Sequence, residues 1–275
     1  MKPKFYATFA FFKLALAGSL LAIALLALLE WGMGWPVLLP GLALLLLGLA
    51  LIGLRILQFL YHYARDRQHD TNQVEALLWL YSRFTPQVNL PAMRGVAGSP
   101  DFLKVIVEYC TLKQPAVIVE ASSGVSSIIL SEWLMHTGSP ARHHALDHLE
   151  KYADLTREKV RNPHSQVWHA PLVEHLIDGK AWKWYDMSAL EKVEQIDMLV
   201  IDGPTEDIQP LARYPALPLL RDKLSPAAVI ILDDANRASE RAIIQRWQQE
   251  FGLQAKFIPT EKGACVLTWP AGDRH

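Results

Sequence analysis

Hydrophobic and polar positions divide the chain near residue 61. Before it lie two uncharged apolar runs, residues 14–29 and 37–54. Phe9, Ala10, Phe11 and Phe12 extend the first, and Ile56, Leu57, Phe59 and Leu60 the second. Each then reaches the roughly 20 residues that a bilayer-spanning helix needs. Both are apolar on every face, unlike the single stripe of a soluble surface helix. Between them, Glu30-Trp31-Gly32-Met33-Gly34-Trp35-Pro36 supplies turn formers and two tryptophans suited to a membrane interface. The pattern predicts a membrane hairpin over residues 1–62, with helices at about 10–29 and 37–58. A cleaved signal peptide would be followed by a polar mature chain, but here a second apolar run follows. Lys2, Lys4 and Lys13 precede the first run, Arg55, Arg65 and Arg67 flank the second, and the loop holds only Glu30. Basic residues stay inside, so both termini and the following domain are expected on the cytoplasmic side of the inner membrane.

Beyond the hairpin, residues 63–115 read as a helical linker and cap. Val74, Leu77, Leu78 and Tyr81 recur at helical spacing, and Pro86 and Pro91 end that helix. Ser99, Pro100 and Asp101 supply a cap, a first-turn proline and a dipole-matched acid for a helix running to about Leu112. From residue 116 the period shortens. Apolar runs at 116–120, 143–147, 166–169, 198–202 and 228–233 read as buried strands, with helices at 126–137, 150–160 and 216–224. Such alternation predicts an α/β fold with a parallel sheet covered on both faces. A helix at 239–251 is followed by β-like runs at 254–258 and 264–269. Only residues 259–263 join them, too few for a parallel crossover, so the sheet should end in an antiparallel hairpin. Residues 116–275 therefore form the expected Rossmann-like domain.

Of the 275 residues 51% are apolar, and much of the excess lies before residue 61. A formal net charge of -1 gives no basis for a nucleic-acid partner. Cys110 and Cys265 lie far apart in no metal or redox spacing, and read as buried thiols of a reducing compartment. The ten histidines show no metal-ligand spacing either.

Candidate chemistry sits at strand ends. The first strand runs into Glu120-Ala121-Ser122-Ser123-Gly124-Val125-Ser126-Ser127, which places backbone amides at a crevice. A dinucleotide fingerprint would place glycine at 122, 124 and 127, where Ser122, Gly124 and Ser127 stand. Glu120 would repel a phosphate and suits a ligand bearing an ammonium group. Asp147 ends the second strand 23 positions beyond Gly124, the place of a ribose-binding acid. Asp202 and the pair Asp233-Asp234 end later strands, so these carboxylates converge on one sheet edge.

With His144-Ala145-Leu146-Asp147-His148, His169-Ala170-Pro171-Leu172, Trp184-Tyr185-Asp186, Asp202-Gly203-Pro204, Arg213-Tyr214-Pro215 and Lys262-Gly263-Ala264-Cys265-Val266-Leu267, residues 73–269 resemble a class I S-adenosylmethionine-dependent methyltransferase. The resemblance is to the bacterial group known as methyltransferase domain family 24, whose E-x-G-S-G-x-S-T motif matches residues 120–127. It implies a seven-stranded sheet and S-adenosyl-L-methionine as cofactor. Glu120, Ser122, Gly124 and Ser126 would line its methionine end, Asp147 and His148 its ribose, and His169 and Ala170 its adenine. Ser122 departs from the pattern, because the family has glycine there. Asp202, Asp233 and Asp234 would serve the methyl acceptor. They are also similar to the divalent-metal triad of catechol-type enzymes, but Gly203-Pro204-Thr205-Glu206 replaces those enzymes' lysine, which weighs against a metal. The expected protein is a membrane-anchored methyltransferase acting on an oxygen of a small molecule, glycan or lipid-linked envelope precursor. The main rival is an inactive membrane-bound scaffold of envelope assembly. A nicotinamide-dependent oxidoreductase is opposed by the missing glycines and the terminal hairpin.

Overall fold

The computed structural model describes residues 17, 18, 20–25, 27, 28, 30–32 and 38–270. The chain divides into two compact units, Met1–Asp70 and Thr71–His275. Helix α1, Leu38–Arg83, joins the second apolar run and the helix expected at residue 74 into one element, so the polar stretch between them is helical. Its segment Pro40–Tyr63 has a mean hydropathy of 2.3 and none of its most apolar window is buried. Among the described residues it is the one helix long and apolar enough to cross a membrane. A shorter apolar helix, Leu20–Gly32, covers part of the first run. The rest of the expected first span, with most of the loop after it, lies outside the described residues. One candidate span therefore stands where two were expected.

In the second unit, helix α2 (Pro100–Lys113) precedes β1 (Val117–Ala121), α3 (Val125–Thr137), β2 (Arg142–Asp147), α4 (Glu150–Arg157) and β3 (Ser165–His169). Strands β4 (Leu172–Ile177) and β5 (Lys180–Tyr185) form a separate antiparallel ribbon. Then come β6 (Ile196–Ile201), α5 (Ala216–Leu220), β7 (Leu224–Leu232), α6 (Ala238–Phe251), β8 (Gln254–Ile258) and β9 (Ala264–Thr268). The main sheet has seven strands in the order β3-β2-β1-β6-β7-β9-β8. The first five are parallel, whereas β9 runs antiparallel to both β7 and β8.

The central strands β1, β6 and β7 are largely apolar because both faces of the sheet are covered there. Val119, Ala121, Leu199, Ile201, Ile230 and Leu232 point to one side, where Ile243 and Trp247 of α6 and Trp182 and Trp184 of the β4–β5 ribbon cover them. Their neighbours Ile118, Met198, Val200, Val229 and Ile231 point to the other, against Phe102 and Ile106 of α2 and Leu130 and Leu134 of α3. The period of two thus sorts each strand between two cores.

Several details differ from the expected elements: the helix expected at 216–224 ends at Leu220, and the strand expected at 228–233 begins at Leu224. The β4–β5 ribbon was not anticipated, and it closes through Asp178 (φ 50) and Gly179 (φ 76), the Asp-Gly turn that suits a tight hairpin. Ser99 occupies the N-cap of α2 but makes no capping bond. Asp101 takes that role instead. Its Oδ1 accepts from the Ser99 hydroxyl (2.6 Å) and the Phe102 amide (2.9 Å), while Oδ2 accepts from the Gln73 amide group and the Glu261 backbone (both 2.7 Å).

Candidate active site at the carboxyl edge of the sheet

Strand order reverses at β1, whose neighbours are β2 on one side and β6 on the other. Open α/β sheets bind ligands beside such a switch point, outside the carboxyl ends of the strands. Ser122 to Gly124 leave β1 there in an unusual backbone conformation, with φ of 145° at Ser122 and 146° at Gly124. A Cβ on Gly124 would meet nothing within 4 Å, so the turn borders open space at the start of α3. Ser126 is buried in the first turn of that helix.

Asp147, at the tip of β2, is only 7% exposed. Its Oδ2 accepts a 2.6 Å bond from the Ser123 hydroxyl and its Oδ1 a 2.9 Å bond from the Leu149 amide. The β1 turn and the β2 tip are therefore one hydrogen-bonded unit. His148 is half-buried beside it, and His169 and Ala170 follow at the tip of β3, with the Ala170 amide donating to the Asp147 carbonyl at 2.7 Å. Glu120 is placed differently from the other residues of the turn. It is fully buried, and its Oε2 lies 2.9 Å from His143 Nε2 of β2. Its second oxygen has no protein partner.

Asp202, Asp233 and Asp234 meet as anticipated, offering oxygens within 4.8 Å of one another. Three cations stand among them: Arg213 and Lys262, both from motifs quoted above, and Arg237, whose Nη2 lies 3.2 Å from Asp234 Oδ1. Arg213 Nη2 lies 2.7 Å from Asp234 Oδ2 and 3.2 Å from Asp202 Oδ1, and it donates to the Asp202 carbonyl at 2.8 Å. Lys262 Nζ is 3.6 Å from Asp233 Oδ2 and 4.0 Å from Asp234 Oδ1. The antiparallel end of the sheet delivers that lysine. The turn before β9 is stitched to the loop after β7 by Ala235 N to Gly263 O (2.8 Å) and Asn236 N to Lys262 O (3.1 Å). A Cβ on Gly263 would strike Asn236 at 2.5 Å, so glycine is required for this contact.

Burial raises Asp202 to about 6, although Arg213 and Lys262 pull it down. Burial, then the negative charges of Asp202 and Asp234, push Asp233 up to about 8. Lys262, too distant from Asp233 for a hydrogen bond, does not offset this. Arg213 is held charged: burial opposes its charge, but Asp202, Asp234 and Glu240 outweigh that. Arg213 and Lys262 lie against these carboxylates and would oppose a divalent ion, whereas both oxygens of Asp233 and Oδ1 of Asp234 accept no hydrogen bond from a described residue.

Tyr185, at the end of β5, lies between the two halves of the site. Its hydroxyl sits 2.5 Å from where a Cβ on Gly203 would be, beside Ser122. A cavity of about 490 Å³ lies elsewhere, at the amino ends of β1 and β2, lined by Cys110, Gln114, Trp133 and Pro140 among others. It touches none of these residues.

No protein-family model and no curated protein matches the sequence. Solved structures do match the fold. The SAH-bound methyltransferase of Podospora anserina is 14% identical and covers 72% of this chain and 87% of its own, with a TM-score of 0.50. The second unit has the class I methyltransferase fold. A methyltransferase from Geobacter sulfurreducens is also 14% identical over 72% of this chain and 87% of its own, with a TM-score of 0.45.

Proposed function

We propose that the chain is a membrane-anchored, S-adenosylmethionine-dependent methyltransferase that acts at the cytoplasmic face. The observation that carries this reading is the joint unit of the Ser122–Gly124 turn and Asp147 at the switch point of a methyltransferase fold. The open space beside Gly124 and a buried, oriented carboxylate at the β2 tip fit a ligand with a ribose and a compact polar tail. S-adenosylmethionine, when bound, supplies a methyl group on a sulfonium.

Asp147 would accept from the ribose hydroxyls, the amides of the β1 turn would hold the methionine end, and the tip of β3 at His169 and Ala170 would border the adenine. Asp202 is the acidic residue best suited to the acceptor. Its Oδ1 is taken by Arg213, while Oδ2 makes no hydrogen bond to a described residue and its side chain is 14% exposed. A carboxyl poised near 6 can take the proton of a hydroxyl as the nucleophile forms its new bond to carbon. Arg213 fixes that carboxylate, and Lys262 balances the charge of its neighbours, so the reaction is proposed to need no divalent metal. The acceptor is proposed to be an oxygen of a small molecule, glycan or lipid-linked envelope precursor, because Pro40–Tyr63 would hold the domain close to such substrates. The motif residues further suggest methyltransferase domain family 24.

Incubating the full-length protein with methyl-labelled S-adenosylmethionine and envelope extract tests this reading. Label should pass to an extract component, and Asp202→Asn should abolish the transfer. Cofactor binding without transfer to any extract would favour the scaffold reading, which Ser122 in place of glycine supports. For topology, a cysteine at position 34 should react with an impermeant reagent in intact cells and one at position 67 should not.

A further inference from the structure

Tyr185 has no part in the reading above, yet its hydroxyl is confined to the crevice between β1 and β6. The Cβ that Gly203 lacks would lie 2.5 Å from that hydroxyl, 3.2 Å from the Ser122 Cβ and 3.3 Å from the Ala121 carbonyl. The Tyr185 ring meets His148 edge-on at 6.2 Å and packs against Trp184 at 5.0 Å. The side chain therefore reaches from the β2 tip, where Asp147 sits, to the β6 tip, where Asp202 ends the strand.

Tyr185 as a whole is only 1% exposed, but its hydroxyl oxygen is not among the fully enclosed polar atoms that lack a partner, so it faces the crevice. A tyrosine whose ring is buried and whose hydroxyl faces a crevice presents one polar tip to whatever occupies it, and here that is the ligand crevice. Burial, then Asp147 and Asp202, hold the phenol protonated, with Arg213 opposing them only in part. The group is thus a neutral dipole in a field made negative by two carboxylates. Packing alone does not account for it. Phenylalanine would fill the same space among the apolar residues, and the hydroxyl makes the closest of the three contacts with a side chain at position 203.

We propose that the Tyr185 hydroxyl contacts the sulfonium end of the bound cofactor and favours the charged methyl donor over its neutral product. This rests on the reading of the site as an S-adenosylmethionine site. Asp147 on one side and Asp202 on the other bracket the place where the methyl-bearing sulfur would lie. A sulfonium offers the tyrosine oxygen a positive charge and polarised C–H donors, whereas the thioether of the product offers neither.

The test uses the full-length protein in detergent, with S-adenosylmethionine and S-adenosylhomocysteine as calorimetric probes. Tyr185→Phe should weaken S-adenosylmethionine by about three- to tenfold and S-adenosylhomocysteine by less than about twofold, the range of one modest polar contact. Its melting temperature should match wild type. Gly203→Ala should weaken both probes, and adding Tyr185→Phe should restore part of that loss by removing the colliding oxygen. Equal weakening of both probes by Tyr185→Phe would assign the residue to packing and overturn the proposal. Unchanged affinity for both would place the hydroxyl away from the sulfur and overturn it equally. Wild type binding neither probe would overturn the cofactor reading itself, a failure visible before any variant is compared.

Discussion

The Ser123 hydroxyl and the Leu149 amide grip opposite oxygens of Asp147, at 2.6 and 2.9 Å, so the carboxylate is oriented by the protein alone. Hydrogen bonds to a charged group contribute about 1.5–3 kcal/mol. Asp147→Ala should therefore weaken S-adenosylhomocysteine binding by roughly tenfold or more, and Ser123→Ala by about threefold. Asp202→Ala, on the acceptor side, should change it by less than about twofold. Calorimetry on the three variants checks the order, and a larger effect from Asp202→Ala would reverse the assignment of the two halves.

Ser122 holds a φ of 145°, which side-chain-bearing residues adopt at a cost of about 1–3 kcal/mol. Ser122→Gly should raise the melting temperature by a few degrees, net of glycine's added chain entropy of about 0.5–1 kcal/mol. It should also tighten cofactor binding. Ser122→Val should do the reverse on both counts. A Ser122→Gly protein that melts lower than wild type would show that the turn is not strained.

Asp233 carries a testable pH signature. Its carboxyl titrates near 3.9 when unfolded and is raised to about 8 when folded. Between those values the folded state binds more protons, so stability falls as pH rises from about 4 to about 8. Asp233→Asn should flatten that fall, and its largest gain over wild type should come at pH 8. Parallel melting curves for the two proteins across this window would contradict it.

Removing Arg213 strands Asp202 and Asp234 without their shared partner. Breaking a buried ion pair in this way costs about 3–5 kcal/mol. Arg213→Met should lower the melting temperature by roughly 10 °C. Magnesium should leave the wild-type melting temperature unchanged, because Arg213 and Lys262 already balance the cluster. A clear rise on adding magnesium would show that the carboxylates hold the ion instead.

Most of the sheet was legible because β1, β6 and the second half of β7 are short apolar runs bounded by turn formers. Residues 254–258 matched β8 in full, since a five-residue connection leaves little choice of pairing. The β4–β5 ribbon was missed, although Asp178-Gly179 between alternating residues was a usable signal. The convergence of Asp202, Asp233 and Asp234 followed from strand ends alone. Arg213 and Lys262 could not be placed so, because each reaches the cluster through tertiary contacts. Arg213 comes from the loop before α5, and Lys262 comes from a turn fixed by the β7–β9 pairing. The motif placed Glu120 at the β1 tip, and its pairing with His143 was not legible there, because it depends on the register of β1 against β2.

Calorimetric titration of the full-length protein with S-adenosylmethionine, S-adenosylhomocysteine and a nicotinamide dinucleotide tests the central claim most directly. Both adenosyl ligands should bind at a single shared site, each displacing the other, and the dinucleotide should give no heat of binding. Absence of binding by both adenosyl ligands, or tighter binding of the dinucleotide, would contradict the assignment of this edge as a methyl-donor site.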